Sequence, residues 1–287
     1  MPESPRVPAQ LAKRSAANGE ATIRASAAEK PDATRASPMV APLARALALL
    51  SVFAPHDLWL SNGELSTRSG LPPSTVSRMA HTLTALGYLH HAEDSRKYRL
   101  AAPVLGLGYA AIAHSHVQRL ARAKMQAFAE QHKVHLVLST RDRLDMIVLE
   151  ICRSALAPVP LDLHVGARIG LGTSPIGWAL LAGLPEVERY YLLGNIQRRM
   201  PREWPRLRRR SSEAIAQVHD RGFCSSLGEW ASELGIIAVP MLIDGNAPLV
   251  LACVGASAQM SRARVERELG PRLVGIAGLL QQEGAIE

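Results

Sequence analysis

Ser61 to Leu89 reads SNGELSTRSGLPPSTVSRMAHTLTALGYL, and its punctuation predicts two short helices joined by a tight turn. Ser61 and Glu64 stand at the S-x-x-E spacing of a capping box, where each satisfies a free backbone N–H at a helix start. Gly70 ends that first helix, because glycine enters the left-handed region without steric cost. Pro72 and Pro73 preset the backbone for the first turn of a second helix. Along it Val76, Met79, Ala80, Leu83 and Leu86 recur at the spacing of one helical face. The opposite face carries Ser74, Thr75, Arg78, His81 and Thr82, with Ser77 beside them. Hydroxyls, a guanidinium and an imidazole can bond phosphates or base edges, as a helix lying in a major groove requires.

Taken alone, the stretch also fits an ordinary exposed helical hairpin. The residues after it separate the two readings. Gly87-Tyr88-Leu89-His90-His91 leaves the helix as an extended run, Glu93-Asp94-Ser95-Arg96 has turn composition, and Lys97-Tyr98-Arg99-Leu100 returns as a strand. Helix, turn, helix and basic hairpin is the order of a winged helix-turn-helix. Arg96, Lys97 and Arg99 lie on the wing, where cations meet phosphate or the minor groove.

The charge of the whole chain agrees. Its 287 residues carry a formal net charge of +8. Residues 1–40 hold six Lys/Arg against four Asp/Glu, and residues 41–125 hold nine against four. The excess gathers around the helix-turn-helix, which suits a polyanionic partner. Hydrophobic residues make up 47%, enough for a sizeable core, and the length accommodates two domains. No run of eighteen apolar residues suggests a membrane span, and no secretory signal is visible. Cys152, Cys224 and Cys253 are scattered, which points to a reducing compartment and to thiols buried as small apolar groups. Aromatics are too scarce for a single-strand stacking platform.

Outward from the opening stretch, residues 1–40 are rich in Ala, Ser and Pro without periodicity and read as a disordered tail. Its acidic residues argue against a mitochondrial presequence. Pro42 to Phe53 is an apolar helix that would back the helix-turn-helix. Ala102–His116 and Val117–Lys133 read as helices connecting to a second domain. There Val134–Thr140 and Met146–Ile151 are expected strands around Arg141-Asp142-Arg143, and Leu161–Val165 is a further extended run. Ser174–Ala182 and Glu213–Arg221 are expected helices, the latter with Ser212 as cap and Gly222 as stop. Ile236–Ile243 and Leu249–Val254 are expected strands around Asp244–Ala247; Pro240 implies a sheet edge or a bulge. Arg262–Gln282 closes the chain as a helix. Strands mixed with helices give an α+β domain.

Three segments together resemble the IclR-type transcriptional regulators: GLPPSTVSRMAHTLTALGYL, VGARIGLGTSPIGWALLAGLPE (165–186), and DRGFCSSLGEWASELGIIAVPMLIDG (220–245) with Ser261-Arg262 after it. The resemblance runs from about Leu43 to Glu283. It implies a two-domain α+β chain, with an N-terminal winged helix-turn-helix and a C-terminal GAF-like effector domain built on a central antiparallel sheet. The domains would be a tail (1–40), the DNA-binding domain (41–103), a linker helix (104–117) and an effector-binding and oligomerisation domain (118–287). It further implies a homodimer or homotetramer, a double-stranded DNA operator, and a small-molecule effector, an organic acid or aromatic catabolite. Carried over by position, effector contacts fall on Ser174, Pro175, Ile176, Ile236, Gly255 and Ser257. Pro175 lacks an N–H that could hold a carboxylate, and Ile236 fills a position that is polar in the family. Both point to a more apolar pocket than one for a small keto acid.

Enzymatic motifs are missing. No Gly-x-Ser-x-Gly elbow and no phosphate loop occurs. The pairs His114/His116 and His132/His135 come without ligands at metal spacing. Neither a catalytic residue nor a cofactor is expected. Glu229 and Glu233 lie in Ser/Gly-rich surroundings that read as a loop, either solvated charge or a polar pocket rim. Arg198–Arg210, with seven arginines, reads as a solvated surface segment, with an auxiliary phosphate contact as its rival. Arg168 could hold a carboxylate or pair with an acidic neighbour. The expected function is a cytoplasmic, effector-controlled DNA-binding transcriptional regulator. The alternative is a small-molecule-binding or enzymatic module whose N-terminal domain binds a non-DNA partner; a third is a non-specific nucleoid-type binder.

Overall fold

The computed structural model describes residues 40–54, 57–113, 116–243 and 247–284, with backbone alone at 109, 111–113 and 116–118. Residues 1–39 of the expected tail and Asp244–Asn246 of the expected turn lie outside the described residues, as does His114; the side chain of His116 does too. The chain divides into two units, at His114 and Ser115.

In the first unit α1 (Ala41–Leu50) precedes β1 (Leu60–Ser61), α2 (Asn62–Ser69), α3 (Pro73–Ala85), β2 (Leu89–Ala92), β3 (Lys97–Leu100) and α4 (Ala102–Ala113). The capping box forms as expected: Ser61 Oγ accepts from the Glu64 N–H at 3.3 Å, and a Glu64 carboxylate oxygen accepts from the Ser61 N–H at 2.7 Å. That backbone bond from Ser61 is the main cause holding the Glu64 carboxyl below the usual carboxylate range. Gly70 ends α2 with φ 69°.

The second helix ends at Ala85, and its last turn closes by a Schellman pair: Gly87 N–H donates to Thr84 O and Tyr88 N–H to Leu83 O. Val76, Ala80 and Leu83 pack with Leu49, Leu65 and Leu89 in one core; each large side chain buried there contributes roughly 1.5–3 kcal/mol. Leu86, expected on that face, is 63% exposed. It lies one position short of the 76–80–83 stripe and outside the helix, so it turns away. β2 and β3 form the wing, Leu89↔Leu100 through Ala92↔Lys97, and β1 adds to the outer edge of β3.

The second unit runs α5 (His116–His132), β4 (His135–Asp142), β5 (Asp145–Cys152), β6 (Arg168–Gly170), α6 (Pro175–Gly183), α7 (Glu186–Arg199), α8 (Trp204–Arg221), β7 (Cys224–Ala231), β8 (Leu234–Met241) and β9 (Leu249–Ala256). A closing helix comes next: Arg262–Arg264 passes through a π-turn, Val265–Leu269, into α9 (Gly270–Gly284). The strands form one antiparallel sheet in the order β6-β5-β4-β9-β8-β7. Successive residues alternate between its faces. Leu136, Ile237, Leu251 and Cys253 pack with α5 and α9, while Val137, Ile236, Ala252 and Val254 pack with α6, α7 and α8. The result is the expected α+β architecture, a central antiparallel sheet covered by helices on both faces.

Several expectations change here. Arg141 and Asp142 belong to β4 rather than to the turn, because pairing continues to Asp142↔Asp145. Leu161–Val165 forms no strand; Val159, Leu161 and Leu163 lie in an irregular segment packed on the α6 face. α8 begins at Trp204, eight residues before the expected cap Ser212, because Leu207, Ser211 and Ala214 already form its buried face. The arginine-rich segment is therefore the end of α7 and the start of α8. Glu229 stands in strand β7, not in a loop, and pairs with Arg210. Pro240 occupies an inner strand. However, β7 pairs with β8 only up to Cys224↔Ala238, so Pro240 faces a locally open edge and costs no ladder bond.

Candidate functional site

α3 carries the polar face expected of it. Ser74, Ser77, Arg78, His81 and Thr82 are exposed, and Thr75 is half-buried at the helix start. Ser77 Oγ accepts from Asn62 Nδ2 at 3.1 Å, which ties the helix to the start of α2. Thr82 gives its hydroxyl proton to Arg78 O at 3.0 Å. Ser74, Thr75, Arg78 and His81 make no side-chain hydrogen bond among the described residues. They are solvated groups that a partner's acceptors and donors can engage without first breaking a protein contact.

The wing presents Arg96 and Arg99 at the surface, with Lys97 half-buried beside them. Arg96 occupies the tip in the left-handed region, φ 53°, an uncommon conformation for a side-chain-bearing residue. Exposed Arg99 stacks its guanidinium over Trp59 at 4.8 Å, which fixes the side chain while leaving its charge in place. His91 stacks on Tyr98 at 4.7 Å, bracing the hairpin. The sequence pattern does not single out Trp59 or Asn62; an aromatic just before a capping box is the only local sign of them.

In the second unit the residues expected at a ligand site separate. Pro175, Ile176 and Ile236 share the α6 face of the sheet. Pro175 O accepts from Cys224 Sγ at 3.4 Å, fastening the helix start to β7. Ser174 is 1% exposed, and its hydroxyl is used twice. It accepts from the Gly177 N–H at 3.1 Å as the cap of α6 and donates to Gly170 O at 2.9 Å. Gly255 turns to the other face, where an added Cβ would stand 2.9 Å from Met260 Sδ. Ser257 is half-exposed beyond β9 and donates to Ser232 O at 2.8 Å, closing the β7–β8 turn. Arg168 pairs with Asp142 and stands 3.7 Å from Asp145. Burial raises the Asp145 carboxyl, against the pull of Arg199 and Arg168.

Two buried polar residues on the α6 face are absent from the expected site. His135, at the start of β4, bonds Val159 O through Nε2 at 2.8 Å. Ser226, on β7, pairs with Ile236 and lies on the same face. His132 belongs to the opposite face: it packs on Phe128 and meets Glu268 at 3.1 Å, and burial lowers its pKa. Burial likewise pushes the Cys224 and Cys253 thiols up to about 12, so they remain unreactive. All three cysteines are free and buried.

Residues 42–93 match the IclR helix-turn-helix domain. The chain is 34% identical over 250 residues to the HTH-type transcriptional regulator TsaQ1/TsaQ2 of Comamonas testosteroni, a match covering 85% of this chain and 88% of that protein. It is 29% identical over 247 residues to the Pca regulon regulatory protein of Pseudomonas putida, covering 81% and 80%. Among solved structures, an IclR family transcriptional regulator from Brucella abortus superimposes with a TM-score of 0.79 at 33% identity, covering 88% of this chain and 96% of that one.

Proposed function

The chain belongs to the IclR-type family of transcriptional regulators, and we propose that it reads a DNA operator through α3 and the wing while a small molecule held on the α6 face sets its operator affinity. Residues 41–103 are the DNA-binding domain, 104–117 a linker, and 118–287 the effector-binding and oligomerisation domain. Ser74, Thr75, Ser77, Arg78, His81 and Thr82 enter the major groove; Arg96, Lys97 and Arg99 hold phosphate or the minor groove. The observation that carries this reading is the polar face of α3, on which Ser74, Arg78 and His81 are exposed and make no side-chain hydrogen bond among the described residues, beside a cationic hairpin.

On the effector side, Pro175, Ile176 and Ile236 form the apolar part of the ligand face. Ser174 shapes that site through the cap it makes, Ser257 closes its end, and Gly255 lets Met260 pack behind it. The effector is an organic acid or an aromatic catabolite, bound in a state that shifts the placement of two DNA-binding domains. The protein works as a homodimer or homotetramer in the cytoplasm. Exposed Leu43 and Leu47 on α1, with Leu105 and Leu107 on α4, support self-association. No helix among the described residues is long and apolar enough to cross a membrane. We assign no reaction to it: the Ser174 hydroxyl is spent on its own backbone turn, and His132 and His135 are turned to opposite faces of the sheet.

Nuclease footprinting of the full chain on DNA flanking its own gene tests the reading. A short protected stretch, at protein concentrations that leave random duplex unprotected, is expected. Uniform protection, or none on any flanking fragment, contradicts it.

A further inference from the structure

Residues 126–287 hold 18 Lys/Arg against 17 Asp/Glu, close to balance. Seven of those cations, all arginines, and one of those acids, Glu203, fall in residues 198–210. The rest of the span therefore holds 11 cations against 16 acids. Charge is segregated: a strongly cationic patch, at the end of α7 and the start of α8, stands on an otherwise acidic unit.

Within the patch Arg198, Arg202, Arg206, Arg208 and Arg209 are exposed. Some of the seven are engaged. Arg209 stands 3.4 Å from Glu213, half-buried Arg210 pairs with Glu229, and Arg198 bonds the side chain of Asn195. Arg202, Arg206 and Arg208 make no ion pair and no side-chain hydrogen bond among the described residues. The fold gains nothing from crowding them. Arg206 stands in the first turn of α8, where the helix terminus is already partly positive and no acidic residue offsets it. Arg209 and Arg210 follow it at three and four residues, a spacing at which like charges repel. An anion brought to the patch relieves both costs.

The surroundings decide which anion. Leu207, Ser211 and Ala214 form the buried side of α8, and Arg206, Arg208 and Arg209 spread over the opposite arc. No large apolar side chain is exposed between Met200 and Phe223. A protein partner is held by an apolar centre within a polar rim, and a helix on a membrane surface needs an exposed apolar face. This surface has neither. A nucleic-acid backbone requires neither: guanidinium forks hold its phosphates, and counterions condensed along the duplex are released.

We propose that the α7–α8 patch is a second DNA surface, on which Arg202, Arg206 and Arg208 hold backbone phosphates of a duplex without regard to sequence, in addition to the contacts of α3 and the wing. The proposal rests on the reading that the chain binds duplex DNA. In it α3 selects the site, and the patch adds affinity.

Fluorescence anisotropy of the full chain, on its footprinted operator extended by random-sequence flanks and across a range of salt, tests it. The triple variant Arg202→Gln, Arg206→Gln, Arg208→Gln lowers the slope of log affinity against log salt by about 2–3, at roughly 0.9 for each lost phosphate contact. The ratio of operator to random affinity stays as it was, because phosphate carries no sequence. A control triple of the same charge, Lys133→Gln, Arg143→Gln, Arg267→Gln, removes exposed cations elsewhere in the second unit and shifts the slope by less than half as much. Melting curves check that both variants fold, and Arg202→Gln alone, with a fall of about 1, serves if the triple does not. An unchanged slope in the folded variant overturns the proposal and leaves an acidic protein as the partner to seek. Equal falls in the two triples also overturn it, since net charge rather than a site would then be at work. Specific operator binding with an unchanged slope defeats the patch alone. An unmodified chain that cannot tell operator from random duplex defeats the regulator reading, and the same comparison on random duplex still decides the patch.

Discussion

The two units keep their unpaired polar groups in opposite surroundings. On α3, Ser74, Arg78 and His81 stand in water, where each loses little until DNA replaces that water. On the α6 face, His135 Nδ1 and Ser226 Oγ are buried without a hydrogen-bond partner among the described residues, where an unmade hydrogen bond costs about 1–3 kcal/mol apiece. A surface reader can thus be built without straining the fold, and its loss should leave stability untouched. A buried site is joined to the core around it, so changes there should register in stability as well as in binding.

The sharpest way to break that contrast is at Gly177 in α6. An added Cβ would stand 2.0 Å from Leu171 O, a backbone atom that cannot swing aside. Gly177→Ala should destabilise the second unit by ~3 kcal/mol, seen as a lower melting transition. An unchanged melting curve would mean that the turn before α6 is far softer than its packing indicates.

Arg78→Ala tests the other side. It should weaken specific operator binding by ~1–3 kcal/mol and relax preference at one base pair, with the melting temperature unmoved. Operator affinity equal to that of the unmodified chain would take Arg78 off the base edge.

Ser174→Ala asks whether the α6 face combines both roles. Its hydroxyl caps the helix, so the change should cost ~1 kcal/mol of stability, read from denaturant unfolding. Weaker effector binding with unaltered stability would reverse that assignment and make the hydroxyl a direct ligand contact. The smallest effects belong to the wing. Arg96→Ala and Lys97→Ala should each lower the slope of log affinity against log salt by about 1, for every DNA sequence alike. Slopes that stay put in both variants would remove the wing from the phosphates.

Legibility in the sequence divides along the same line. The capping box at Ser61, the stop at Gly70 and the paired prolines act within a few residues, so local chemistry alone places the reading helix. Leu86 misleads because periodicity continues in a string of letters after the helix has stopped. In the second unit, α7 carries no side-chain cap to announce it, and Ser212 imitates a cap in the middle of α8, since serine serves a cap and a helix interior alike. The ligand face is legible only in part. Motif position points to Pro175 and Ile236. The face that Gly255 turns to, and the alignment of His135 and Ser226 on one face of the sheet, depend on strand register over long sequence separations. Register of that range leaves no mark in local pattern.

The central claim is that α3 discriminates sequence rather than merely binding charge. The most direct test is the affinity of the full chain for a duplex bearing its footprinted operator, set against a random duplex of equal length at the same near-physiological salt. The account predicts a preference for the operator of about 10³-fold or more. Equal affinity for the two duplexes would contradict it and leave only a non-specific basic surface.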